Sequence, residues 1–253
     1  MKGRLNVAPL LAAIVLLAAP LAASDVFLPI AGSVGNFRTD VRIFNPSASK
    51  DVAVTARFLP VGNIDNSARF ETQSTAVVLT IPKRQSAVYN DAVASIFSAT
   101  GLGAIYLTSP NPIIVTSRIY AQTGAGTLGQ GFGGTDVHDV ITRGILLQLR
   151  SDATFRTNIG AANPQKAAAN VTWSLYDRNN LLVSKRTITM PAYSVIGPTS
   201  ITAGFFFDSG GADLSEAWVS FSSDVPIAAY ASIIDNSTTD PTYLAAQVDS
   251  STQ

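Results

Sequence analysis

The stretch Phe37-Arg38-Thr39-Asp40-Val41-Arg42-Ile43-Phe44-Asn45-Pro46 returns 118 residues later as Phe155-Arg156-Thr157-Asn158-Ile159-Gly160-Ala161-Ala162-Asn163-Pro164. Phe-Arg-Thr, then Asp or Asn, then Asn-Pro at the same distance is too long a match for composition to explain. The chain therefore contains an internal repeat. Whatever fold one copy adopts, the other must be able to adopt as well. A length of 253 residues accommodates two ordinary domains.

The periodicity inside each copy is two. Val52, Val54, Ala56 and Phe58 share one face of an extended segment, with Ala53, Thr55 and Arg57 opposite, and Val77, Leu79 and Ile81 repeat the pattern. Such alternation puts one set in a core and the other in water. Pro46, Pro82, Pro112, Pro164, Pro191 and Pro226 punctuate these segments, as proline does where a strand must stop. Asn90-Asp91 precedes a single helical turn expected over residues 92–97. Between the copies the differences in length fall at turn signals. The first copy has extra residues around 60–73, where the second has a tight Asp177-Arg178-Asn179-Asn180 turn, and the second has extra residues near Phe205-Phe206-Phe207. Loops tolerate such changes while a strand framework persists.

These features predict an all-β chain of two tandem immunoglobulin-like β-sandwiches, each of about seven short strands. The run from Asp40 through Asn45-Pro46 to Val52-Ala53-Val54-Thr55 also resembles bacterial immunoglobulin-like modules. The chain as a whole is similar to secreted bacterial proteins carrying paired copies of such a module. That resemblance implies a fold and export, and no particular activity. The expected boundaries are residues 1–24 for a signal peptide, 25–135 for the first sandwich and 136–253 for the second, with the junction in the glycine- and aspartate-rich stretch from Gly129 to Val140.

Export is read from the N-terminus. Lys2 and Arg4 precede an apolar run from Val7 to Ala19, and Ala22-Ala23-Ser24 supplies small residues before Asp25. This is the layout of a cleavable signal peptide. The alternative is a retained anchor, for which the run is short and ends in small residues. Its removal leaves 15 basic against 17 acidic residues. A chain so nearly neutral, with no basic stripe, is not expected to bind nucleic acid. The absence of cysteine removes disulfides, thiolate nucleophiles and cysteine-ligated metal. No membrane span is expected in the mature chain, and the expected setting is the periplasm, the cell envelope or the medium.

No motif carries catalysis. Gly124-Ala125-Gly126-Thr127-Leu128-Gly129 has the spacing of a dinucleotide loop, but more glycines follow where a helix would have to begin. A flexible loop between the sandwiches is the expectation. His138, the only histidine, lies between Asp136 and Asp139 with no Gly-x-Ser-x-Gly nucleophile elbow in the chain, and is expected in solvent. The acidic loops with Asp208, Asp213 and Glu216, and with Asp235 and Asp240, can supply oxygens to calcium but lack the EF-hand spacing. Two glutamates, Glu71 and Glu216, give no selectable glycosidase pair. No catalytic residue, cofactor or metal site is therefore assigned. The residues preserved between the copies (Phe37, Arg38, Thr39, Asp40, Asn45, Pro46 and Phe155, Arg156, Thr157, Asn158, Asn163, Pro164) are expected to be structural, because the module keeps them wherever it is used. Phe205, Phe206 and Phe207 are a candidate interaction patch, with a plug over the second core the favoured alternative.

The functional expectation is a non-catalytic binding or scaffolding protein that meets a protein or glycan at the cell surface, in adhesion or surface assembly. A carbohydrate-binding module is the alternative and would need Trp173, Trp218, Tyr193 or Tyr243 on an exposed platform. A secreted hydrolase is the third, requiring converging carboxylates or His138 with a serine.

Overall fold

The computed structural model of the protein describes residues 23–206 and 211–251. Nearly all of the expected leader, together with Phe207 and Asp208, lies outside them. The described chain is mostly β. Its first copy comprises β1 (Ser24–Ser33), β2 (Phe37–Phe44), β3 (Val52–Pro60), β4 (Ala76–Ile81), β5 (Ser86–Tyr89), β6 (Gly101–Ser109), β7 (Ile114–Thr123), β8 (Gly126–Gly133) and β9 (Thr135–Asp136). The second comprises β10 (Ile141–Ser151), β11 (Phe155–Ala162), β12 (Ala169–Tyr176), β13 (Leu182–Met190), β14 (Val195–Ser200), β15 (Leu214–Asp235), β16 (Pro241–Ala245) and β17 (Gln247–Val248).

Two antiparallel sheets form the first copy, ordered β4-β3-β6-β1-β9 and β5-β2-β7-β8. The second repeats this as β13-β12-β15-β10-β17, and through the far half of β15 as β14-β11-β15-β16. One unbroken β15 therefore does the work of β6 and β7. The corner between those two strands is the same in both copies. Ser109 Oγ donates to the Asn111 carbonyl at 2.6 Å, and Ser223 Oγ donates to the Val225 carbonyl at 2.6 Å. Pro112 and Pro226 follow directly, where a proline costs no ladder hydrogen bond.

Each pair of sheets encloses its own core. Val41 and Ile43 of β2 meet Val52 and Val54 of β3 and Leu107 of β6 in the first. In the second, Trp173 of β12 packs against Ile159 of β11 and Phe221 of β15. The layering is that of a sandwich, but the connections differ from the immunoglobulin constant order. There the second strand lies between the first and fifth, and the sixth between the third and seventh. Here β2 lies between β5 and β7, and β6 between β3 and β1. The pairs β1–β6, β2–β5 and β3–β4 are nested, as when one long hairpin is rolled up on itself. Strand periodicity is blind to this choice, because both orders bury one residue in two.

The helical turn expected after Asn90-Asp91 is α2 (Ala92–Phe97), following α1 (Ser67–Glu71). Asp91 sits at its N-cap position, yet its side chain caps nothing. It accepts instead from Ser33 Oγ and pairs with Arg38. In the second copy a π-helical turn, Ile201–Phe205, takes this place. Phe205 and Phe206 are buried in the second core, with Phe205 edge-on to Trp173 at 5.0 Å. Neither is presented to a partner.

The glycine-rich stretch is not a free linker. Gly126–Gly133 is β8, paired with β7 in register from Thr123↔Gly126 to Thr116↔Gly133. A Cβ on Gly129 would collide with the Ile119 carbonyl and Tyr120, so a bare backbone is needed at that crossing. No helix follows it, which removes the dinucleotide-loop context. The strands of the first copy end with Asp136, and those of the second begin at Ile141.

The outer face of the β3-β6-β1 layer does not face water. Phe27, Leu59, Ala104 and Tyr106 lie in a third cluster with Ala162, Ala192, Tyr193 and Val195 of the second copy. Arg57, expected in solvent, is 8% exposed, its guanidinium 4.7 Å over the Phe70 ring. The extra loop of the first copy makes this contact. Gly62 and Asn63 donate backbone N–H groups to the Val195 carbonyl, Asn66 donates to the Ala192 and Tyr193 carbonyls, and Phe70 stacks on Tyr193 at 4.0 Å. Among the described residues no helix is long and apolar enough to cross a membrane.

Candidate functional site: the cleft between the two copies

The residues kept in both copies divide by what they touch. Thr39 Oγ1 accepts from the Gly32 amide at 2.7 Å, and Thr157 Oγ1 accepts from the Arg150 amide at 3.0 Å, each tying β1 or β10 to the following strand. Asn45 Nδ2 donates to the Lys50 and Ile81 carbonyls, and Asn163 Nδ2 to those of Ala167, Met190 and Pro191. Both asparagines and both threonines are buried. Pro46 and Pro164 follow directly and stop β2 and β11, having no N–H to continue a ladder.

The other conserved positions diverge. Arg38 Nε lies 3.1 Å from Asp91 Oδ2, and its Nη1 donates to the Gly35 and Phe37 carbonyls. Among the described residues Arg156 has no carboxylate partner, and it donates through Nη1 to Asn236 Oδ1 at 2.8 Å. The stretch that stands where Asp91 stands, from Val195 to Phe205, contains no acidic residue. Asp40 accepts from the Tyr120 hydroxyl and from the Asp91 amide. Its counterpart Asn158 makes no side-chain hydrogen bond among the described residues. Phe155 lies under the Arg150 guanidinium at 3.9 Å, whereas Phe37 is 48% exposed.

Phe37, Arg156 and Asn158 meet in a cleft of about 490 Å³ between the β2-β7-β8 layer and the β11-β15-β16 layer. Ile30 and Leu102 form its floor, Ile119 and Leu128 one wall, Pro198 and Ile234 the other. Two aromatic stacks close the joint beside it. Phe132 of β8 lies on Tyr243 of β16 at 4.7 Å, and Tyr243 lies on the buried Tyr230 at 5.5 Å. A Cβ on Gly160 would overlap the Tyr230 ring, so that glycine lets the ring sit flat against β11. Burial holds the Tyr230 and Tyr243 phenols far above the usual range. Gln130 and Ser232 face each other across the joint, Ser232 Oγ donating to Gln130 Oε1 at 3.1 Å. Gln130 is 7% exposed, and its Nε2 has no hydrogen-bond partner among the described residues.

The remaining candidates do not converge there. His138 is exposed, and its backbone N–H donates to Asp136 Oδ1. Burial raises the Asp25 carboxyl above its ordinary value, His138 opposing and Asp136 adding to the shift. Among the described residues no three acidic or histidine side chains gather as metal ligands. Asp213 is engaged by Arg178 and the Ser215 amide, and Asp235 by the Ser237 and Thr238 amides. Of the proposed aromatic platform, Trp173 and Tyr193 are buried and Tyr243 is sandwiched in the joint. Trp218 alone turns outward, stacked on Tyr176 at 3.9 Å.

Sequence reasoning reached Phe37, Arg156 and Asn158 through the repeat, but not Gln130, Leu128, Ser232 or Pro198. The one signal available was the mismatch between copies, Asp40 against Asn158, together with the missing acid near Val195. Compared with protein-family models and with curated proteins, the chain matches none.

Proposed function

We propose that this is an exported, non-catalytic binding protein whose ligand seat is the cleft between its two copies. The carrying observation is the lining: apolar walls from both copies, a few inward-facing polar groups, and a volume within the ~300–1,000 Å³ of small-molecule sites. Among the described lining residues there is no histidine, aspartate, glutamate or lysine, so those residues offer recognition chemistry rather than a general base. Adhesion or assembly at the cell surface is the setting this reading favours, with export by the leader at residues 1–24.

A neutral apolar dye, N-phenylnaphthylamine, tests the seat. Its fluorescence should rise and saturate at one dye per chain, and Leu128→Trp, which fills the cleft, should abolish the rise with the melting temperature retained. An unsaturable signal, or one indifferent to Leu128→Trp, refutes the reading. A second reading, docking through the outer face of the second copy, draws on one observation. Leu182, Tyr176 and Trp218 are paired across three adjacent strands, and Leu147 lies on the next strand beside Leu146, which pairs with Val219; Leu182 and Leu147 are each more than half exposed. Trp218→Ala should weaken surface attachment if that face is used, and leave dye binding unchanged.

A further inference from the structure

We infer that the cleft takes a monocarboxylate with an apolar tail, an inference that rests on the cleft being a binding seat. Three observations point to this class. Among the described residues Arg156 is the single Arg, Lys, Asp or Glu in the lining, so no described carboxylate neutralises it there. Its one hydrogen bond among the described residues uses Nη1, toward the neutral Asn236, which leaves the rest of the guanidinium fork available there. Gln130, nine-tenths buried, spends its acceptor on Ser232 and keeps its Nε2 donors for the cleft, where the Asn158 carboxamide is also unbonded.

These donors open into a largely apolar cleft, so a ligand seated there should present oxygens to them. A carboxylate fits on two counts. Its planar pair of oxygens matches the guanidinium fork, and its single charge balances the single arginine. A phosphate would bring a second negative charge into apolar walls that have no second cation, at a desolvation cost nothing offsets. The carboxylate alone would leave most of the cleft unfilled, and Leu102, Ile119, Leu128 and Ile234 supply an apolar surface for an alkyl or aryl tail.

Calorimetric titration of the purified protein with decanoate, phenylpropionate, decanol, decyl phosphate and decyltrimethylammonium, all below micelle formation, tests this. One acid should bind at one per chain, at least tenfold tighter than decanol and more tightly than decyl phosphate, and the cation should not compete. Which acid wins identifies the tail as alkyl or aryl. Arg156→Gln should lower the acid's affinity to that of decanol without changing decanol binding or the melting temperature. Gln130→Leu should weaken the acid severalfold. Equal binding of decanoate and decanol, tighter binding of decyl phosphate, or an Arg156→Gln variant that binds the acid normally would overturn the carboxylate assignment and leave the binding seat standing. Should no probe bind in a way that Leu128→Trp abolishes, the seat itself is refuted.

Discussion

Arg38 and Arg156 occupy the same place in two copies of one module, and they have different surroundings. In the first copy Asp91 holds the guanidinium, with the Gly35 and Phe37 carbonyls beside it. In the second that acid is missing, and the arginine reaches the cleft between the copies. The loops diverge in the same complementary way. The long loop after β3 in the first copy crosses to the second and buries Phe70 on Tyr193, while the tight turn at Asp177 in the second stays within its own copy, taking the Asn179 and Leu181 amides. A duplicated module thus keeps the bonds that hold each copy together, at Thr39, Thr157, Asn45 and Asn163. It varies the positions that face the other copy.

The largest effect should come from separating the copies. Tyr193 is 3% exposed and sits against Phe70, Tyr106 and the Asn66 side chain. Tyr193→Ala should cost about 3 kcal/mol, the scale of a buried aromatic truncation. It should also divide one denaturant transition into two, because each copy retains its own core. If the protein unfolds in two independent steps even without the substitution, the contact does not couple the copies.

Next come the shared asparagines. Asn45→Ala and Asn163→Ala each strand at least two carbonyls in a buried corner, a loss on the order of 2–3 kcal/mol. The two losses should be similar, since the Lys50 and Ile81 carbonyls correspond to those of Ala167 and Met190, with Pro191 a further acceptor in the second copy. A cost in one copy only would show that the retained sequence no longer has a retained role.

The arginines should then separate. Arg38→Ala should lower stability by about 1 kcal/mol, a figure kept small because its ion pair is partly in water. Arg156→Ala should stay within about 0.5 kcal/mol, as exposed substitutions do. Equal losses in both variants would contradict the divergence described above.

The smallest effect depends on pH. The turn between β10 and β11 is held by Asp152, which accepts from the Phe155 and Thr154 amides and meets Arg150, and the Phe155 amide does most to hold its carboxyl below the usual range. The corresponding turn of the first copy uses Gly35 at φ 56° and has no such carboxylate. A depressed folded value means the contribution is present above the ordinary carboxylate value and is lost as pH falls through the folded one. Asp152→Asn should therefore cost less than about 1 kcal/mol near neutral pH, after allowance for solvent screening, and nothing in strong acid. Melts of the variant and the parent across that range would reveal any cost that persists in acid, which would assign the effect to something other than this carboxylate.

Much of each copy is legible one strand at a time. Alternation marked β3 and β4, the prolines marked where strands stop, and Asn90-Asp91 marked α2, because each signal depends only on neighbours in the chain. The repeat added that Thr39, Asn45 and their counterparts matter. Tertiary structure decided the rest. It set the nested strand order, which has the same periodicity as the immunoglobulin one, and it buried Arg57 and Leu59 by laying the second copy on a face that alternation assigns to water. It also turned the glycine-rich stretch into β8, because Gly129 can pass close to Ile119 and Tyr120 only once β7 is beside it. The cleft depends on this placement most of all. Gln130 and Ser232 are 102 residues apart, and nothing near either one indicates that they will meet. Local sequence determines which way a side chain points from its own strand; only the docking of two complete sheets determines what it points at.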